Sequence, residues 1–397
     1  MSDPPPEETS NRLTSIDTYR GLVMFLMVAE VLHLCHVAEF FPDSKTWALL
    51  CHHQQHAPWT GCSLHDLIQP SFSFLVGAVL PFSLARRRSL NQSATRLAVH
   101  AFWRALLLVA LGIFLRSLNN EQTRFTFEDT LTQIGLGYGF LFLIALAPVA
   151  FRWTALVVLL GGYWAAFAYW PLPPEGFDYT AVGVAQDWPH LMSGFEAHWN
   201  KNTNIAAAFD VWFLNLFPRE TPFVYNGGGY LTLSFIPTLG TMVIGLLAGG
   251  ILQGDSGSSR KLLSLTAAAA VCLGLGWGLA EAGVCPLVKR IWTPSFALFS
   301  GGWCVLALAF FYAVTDVARL KFWAFPLVVI GSNSILIYVM SWTLEGAVTE
   351  SLKRHLGADV FAVFGERYET LVSGGAVIVV FWLVLFWLYR KRVFLKI

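Results

Sequence analysis

Residues 52–66 read HHQQHAPWTGCSLHD, a stretch that gathers His52, His53, His56, Cys62, His65 and Asp66 in an otherwise apolar chain. Three kinds of chemistry suit these side chains. Metal binding is the first. On a helix His52 and His56, four apart, would share a face, as in HExxH zinc sites. HHQQH lacks the glutamate at its second position, however, and APWTG breaks a helix at once. Adding His33, His36 or Cys51 does not produce a standard zinc spacing, so no metal is expected. Acid–base or covalent work is the second. An imidazole titrates near neutral pH and can take a proton from an amine or hydroxyl, or carry an acyl group. Asp66 begins the next apolar segment, where it can orient an imidazole or cap the helix. A plain polar loop is the third reading.

The elements that must position this stretch are membrane helices. Of the 397 residues 55% are hydrophobic and 13% charged, with mean hydropathy +0.56. A soluble domain carries about 25% charged residues. The composition implies an all-α, polytopic integral membrane bundle. A net charge of +1 and the lack of a basic tail give no reason to expect a nucleic-acid partner. Ten segments are long enough to span a bilayer: 19–36, 67–84, 97–116, 131–149, 153–170, 231–252, 261–280, 296–315, 322–342 and 370–389. Fourteen Lys and Arg fall in short connections on one side, including Arg12, Arg86, Arg87, Arg88 and Lys396. Ten fall in longer connections on the other, including Lys289 and Arg290. The positive-inside rule then makes both termini cytoplasmic and residues 52–66 external. The expected location is the cytoplasmic membrane. Residues 1–11, Pro-rich and acidic without the basic start of a cleaved signal, are expected to be a disordered cytoplasmic tail. Residues 12–397 form a single transmembrane domain, with a long outer loop at 171–230.

Polar groups within the spans need a reason, because a charge near the bilayer centre costs about 2.5–3.5 kcal/mol. Asp17 and Arg20 in SIDTYRG share a helix face and can pair or line a cavity entrance. Glu30 and His33 would likewise share a face deep in the first span. Arg104 lies in the third span, and Asn333 and Ser334 interrupt an apolar run in GSNSILIY. Glu30, Arg104 and Asn333 could instead mark the path of a transporter or permease for a small polar solute, the alternative to catalysis. Six cysteines contain no CxxC pair. A disulfide between two of Cys51, Cys62 and Cys285 stays open, with free thiols the default.

Several segments resemble one family in the same order along the chain. RLTSIDTYRGLVMFLMV is similar to the opening motif of the transmembrane acetyltransferases related to heparan-α-glucosaminide N-acetyltransferase. HAPWTGCSLHDLIQPSFSFLVG is similar to their second motif, with the spacing from His56 to Asp66, Pro70 and Gly77 preserved. FIPTLGTMVIGLLAG, VKRIWTPSFAL, GSNSILIYV and LYRKRVFLKI extend the resemblance over residues 12–397. It implies an acyltransferase of bacterial type without the animal enzyme's luminal domain. Such an enzyme moves an acetyl group from cytosolic acetyl-CoA to an amino sugar or other small acceptor on the far side. The family's proposed active-site histidine maps onto His56 alone, as general base or acyl carrier, with Asp66 as orienter. Asp17, Arg20, Asn333 and Ser334 match motif positions and are candidates for lining the acetyl-CoA path. Val31 stands where the family often has asparagine, and Leu131-Thr132-Gln133 where it has Leu-Gln-Arg. The expected partners are the bilayer, acetyl-CoA and the acceptor; a homodimer is left open.

Overall fold

A computed structural model describes residues 13–395. The expected N-terminal tail, Arg12 and Lys396 lie outside the described residues. Fifteen α-helices are described: α1 (Thr14–Val28), α2 (Leu34–Glu39), α3 (Lys45–Gln54), α4 (Ile68–Ser89), α5 (Ala94–Ser117), α6 (Thr130–Leu146), α7 (Val149–Ala168) and α8 (Ile205–Leu214). They continue as α9 (Phe235–Gln253), α10 (Ser258–Glu281), α11 (Pro294–Phe311), α12 (Phe325–Ser332), α13 (Ser334–Thr343), α14 (Glu345–Leu356) and α15 (Glu369–Arg390). Among the described residues the chain is helical, with one isolated antiparallel bridge between Thr60 and Val288.

Seven helical stretches are long and apolar enough to cross a membrane, or eight if α12 and α13 form one span bent by 70°. All-helical, multi-pass architecture therefore holds. Two of the ten expected segments give shorter helices. The fourth is the 17-residue α6. The first stops early: α1 tightens into a 3-10 turn at Ala29–Leu32, and His33 adopts a left-handed φ of 47°. Glu30 and His33 therefore do not share a helical face. Glu30 is exposed at the helix end, and His33 pairs with Glu345 at 3.6 Å.

The spans pack through small residues, which let backbones approach without side chains between them. A Cβ at Gly77 of α4 would collide with the Met242 carbonyl of α9, and one at Gly245 with the Phe74 carbonyl. α4 thus lies directly along α9, while α5 lies along α6, α10 along α11 and α1 along α12. The core between them is apolar, with Phe74, Leu141, Met242, Phe296 and Phe381 fully buried. The start of α1 is held by Asp316, whose carboxylate accepts from the Thr14 and Ser15 amides at 3.0 Å each.

Basic residues fall in the last turn of α4 and the first turns of α5, α7 and α10: Arg86–Arg88, Arg96, Arg152 and Arg260-Lys261. Asp66 lies at the opposite end of α4 from Arg86. Twenty residues at 1.5 Å each separate them by about 30 Å, a hydrocarbon thickness.

The disulfide expectation is corrected. The bonded pair is Cys35–Cys51, and Cys62, Cys272, Cys285 and Cys304 are free thiols. The bond ties α2 to α3 across 16 positions. Cys62 and Cys285, although in loops, are packed away from it: Cys285 is fully buried against Ser295.

Candidate active site

His56 lies just beyond α3, which ends at Gln54, so His52 and His53 are on its last turn and His56 is not. The helical His52–His56 pair does not form. Gln54 anchors the end of α3 back on the first helix: its Nε2 donates to the Ala29 carbonyl at 2.8 Å, and its Oε1 accepts from the Leu34 amide. The loop then turns at Gly61, where φ is 113°, a conformation open to glycine at no steric cost. The Gly61 amide donates to the Leu287 carbonyl at 2.9 Å. This contact brings the α10–α11 connection against the histidine loop.

Asp66, fully buried in the 3-10 turn before α4, lies 2.7 Å from His56 Nδ1 through Oδ1. Its Oδ2 accepts from the amides of Ala57 at 3.1 Å and Ser63 at 3.0 Å, and from Ser63 Oγ at 3.2 Å. Both oxygens are thus committed to the histidine loop, and no side-chain bond caps the start of α4. A carboxylate so held fixes the ring and favours the Nδ1–H tautomer, leaving the Nε2 lone pair for a substrate. His56 keeps 32% of its side chain accessible. Burial moves its pKa below the ordinary 6.5, against the opposing hydrogen bond from Asp66 and with Lys289 adding to the decrease. This shift favours the uncharged ring at neutral pH.

Lys289, from the α10–α11 connection, has its Nζ 3.2 Å from Nε2 and 3.3 Å from Nδ1 of His56. It lies 4.0 Å from Asp66 Oδ1 and is only 6% exposed. Burial brings its pKa down to about 8, with Asp66 opposing. The sequence-based reading treats Lys289 merely as an outer charge. The signal that could have found it is VKRIWTPSFAL, one of the segments that carry the resemblance. His65, which the motif spacing does not single out, has its ring centroid 4.4 Å from that of His56.

Segment 171–230 folds as an ordered cap on this site. Trp59, three positions after His56, is buried, and its indole donates to the Trp199 carbonyl at 3.2 Å. Asn226 folds the NGGGY turn by accepting from the Gly228 and Tyr230 amides, and Arg290 donates to the Gly228 carbonyl at 2.6 Å. Asp210 of α8 accepts from the Thr232 amide at 3.0 Å. Tyr230, pinned between these bonds, presents its ring 5.3 Å from Lys289 Nζ and 5.2 Å from the Arg290 guanidinium.

The remaining candidates lie elsewhere. Asp17 and Arg20 pair at 3.5 Å on α1. Gly331 packs on the Asp17 backbone, so α12 brings Asn333 and Ser334 to the same helix pair. Asn333 sits at the α12–α13 bend, donating to the Val393 carbonyl at 3.0 Å and accepting from the Leu395 amide at 2.9 Å. Ser334 Oγ donates to the Gly331 carbonyl at 3.0 Å. The first and late motifs are thus adjacent to each other. Between α1 and the His56 end run Tyr19, Ser71 and Cys304, joined by contacts of 2.8 and 3.5 Å. Arg104 donates to the Tyr138 hydroxyl at 3.4 Å. Among the described residues no three His, Cys, Asp or Glu are grouped to hold a metal.

No protein-family model matches the chain. It is 23% identical, in an alignment of 431 positions including gaps that covers 98% of this chain, to heparan-alpha-glucosaminide N-acetyltransferase of Mus musculus. The likeness to the Homo sapiens protein of that name is also 23%, over 97% of this chain. The chain spans about three fifths of the length of these curated relatives. Similarity along nearly the whole of a multi-pass helical chain relates this protein to the transmembrane acetyltransferase family of heparan-α-glucosaminide N-acetyltransferase.

Proposed function

We propose that the protein transfers an acetyl group from cytoplasmic acetyl-CoA to an amino sugar or other small acceptor on the outer side of the membrane. The observation that carries this reading is the 2.7 Å pairing of His56 Nδ1 with buried Asp66, which favours a proton on Nδ1 and a free lone pair on Nε2. The acceptor's nitrogen or oxygen forms a bond to the thioester carbonyl carbon, and the C–S bond breaks with its electron pair going to sulfur. Nε2 takes the acceptor's proton in direct transfer. In a two-step route Nε2 itself bonds to the acyl carbon first and then yields it to the acceptor. Asp66 is the orienter in both.

Ten spans with both termini cytoplasmic fit this direction of transfer. The α4 arginines and the basic starts of α5, α7 and α10 favour that face as cytoplasmic. The Cys35–Cys51 bond lies on the His56 side and favours an oxidising outer space. Asp17, Arg20, Asn333 and Ser334, on the packed α1–α12 pair, are assigned to the acetyl-CoA path. The inner arginines supply charge suited to its phosphates.

The test is acetyl-CoA turnover by purified protein with glucosamine as trial acceptor, in wild type and His56→Ala. Loss of turnover by roughly 1,000-fold or more is expected for a base or nucleophile. Wild-type rates in His56→Ala would overturn the assignment.

A further inference from the structure

Lys289 Nζ is almost equidistant from the two ring nitrogens of His56, at 3.2 and 3.3 Å. An ammonium on the in-plane axis of one nitrogen would lie roughly 5 Å from the other. A position in the plane but between them would collide with Cε1. Nζ therefore lies over the ring face and does not occupy the Nε2 lone pair. The ammonium carries three N–H groups. Among the described residues its hydrogen-bond contacts are to the imidazole alone, with Tyr230 presenting a ring face. Asp66, at 4.0 Å, is beyond hydrogen-bond reach and already has four donors of its own. A buried cation with spare donors beside the reacting atom is suited to an acceptor that appears during the reaction.

We propose that Lys289 is a catalytic residue whose ammonium stabilises the negative charge on the acyl carbonyl oxygen while its carbon reacts beside Nε2 of His56. This rests on the acyltransferase reading above. In direct transfer the acceptor bonds to the carbonyl carbon, its proton passes to Nε2, and the C–O π pair moves onto oxygen. That pair returns as the C–S bond breaks and sulfur leaves with its electrons. In the two-step route the same oxygen gains and loses charge in each step. Lys289 keeps its protons throughout and donates a hydrogen bond. The groups that face it are Asp66 and Cys62 from the histidine loop and α4 start, His56 and His65, Glu30 after α1, Tyr230 from the cap, and its neighbour Arg290.

The experiment compares wild type, Lys289→Met and Lys289→Arg, purified in nanodiscs, for acetyl-CoA turnover with glucosamine between pH 6 and 10. Lys289→Met is expected to lower kcat roughly 100-fold or more, with KM for acetyl-CoA changed by less than about threefold. Lys289→Arg, which stays charged, is expected to recover part of kcat. Wild type is expected to lose rate above pH about 8, and Lys289→Arg to keep its rate there. A Lys289→Met enzyme with wild-type kcat, or one altered in KM alone, overturns the proposal. So does an alkaline fall unchanged in Lys289→Arg, a comparison that stands even if the methionine variant fails to fold. Equal turnover in wild type and His56→Ala would instead sink the acyltransferase reading itself.

Discussion

Asp66 holds the Nδ1 edge of His56 at 2.7 Å from a position fully buried in the turn before α4. The carboxylate is fixed in turn by the Ala57 and Ser63 amides, so ring and orienter belong to one closed loop. Asp66→Asn keeps the shape but replaces the acceptor oxygen's charge, and it can present an N–H to Nδ1. The other tautomer of His56 is then favoured, with its proton on Nε2. We expect kcat to fall about 100- to 1,000-fold with KM little changed. Steady-state kinetics of the purified variant check this. A fall of less than threefold would remove Asp66 from the mechanism.

The pH dependence has a definite sign. In the proposed mechanism His56 acts unprotonated, and burial moves its pKa below the ordinary 6.5. The rate should therefore hold as pH falls through 6.5 and be lost only at lower pH. Asp66 opposes the decrease, so Asp66→Asn should shift the residual activity's acid limb to still lower pH. The profile of kcat/KM reports the free enzyme. An acid limb that moves upward in the variant would contradict the electrostatic account.

The Cys35–Cys51 bond closes the hairpin whose Gln54 anchors the approach to His56. Closing a loop of this length contributes about 3 kcal/mol in chain-entropy accounts. Cys35→Ser with Cys51→Ser should lower Tm and reduce turnover several-fold while leaving His56 chemistry intact. Under denaturing, non-reducing conditions, an alkylating reagent should label four of the six cysteines. Labelling of all six would show that the bond does not form.

The α4–α9 seam should tolerate no side chain at Gly77, because the Met242 carbonyl is backbone and cannot swing aside. Gly77→Val is expected to destabilise the bundle by about 1–3 kcal/mol or more. Gly161→Ala of α7 meets nothing within 4 Å and should leave Tm equal or slightly raised. Thermal unfolding in detergent compares them. Equal Tm values would argue against close α4–α9 contact.

The sequence made the helical membrane class legible because apolar runs of span length have few other solutions. It also made His56 and Asp66 stand out, because the motif spacing separates them from His52, His53 and His65. Three features were not legible. The early end of the first span depends on a 3-10 turn and a left-handed His33, which hydropathy does not register. The Cys35–Cys51 pairing depends on how α2 and α3 fold back on each other, and a sequence separation of 16 does not encode that fold. Lys289 reaches His56 across 233 positions, through a loop contact between Gly61 and Leu287 that no local pattern predicts.

The most direct test is sided transfer. Proteoliposomes of uniform orientation would receive radiolabelled acetyl-CoA on the face bearing Arg86–Arg88 and glucosamine on the face bearing His56. Labelled N-acetylated product on the His56 side, absent with His56→Ala, is the predicted result. Equal product with the two proteins, or none from wild type with any amino-sugar or small hydroxyl acceptor tried, would contradict the account.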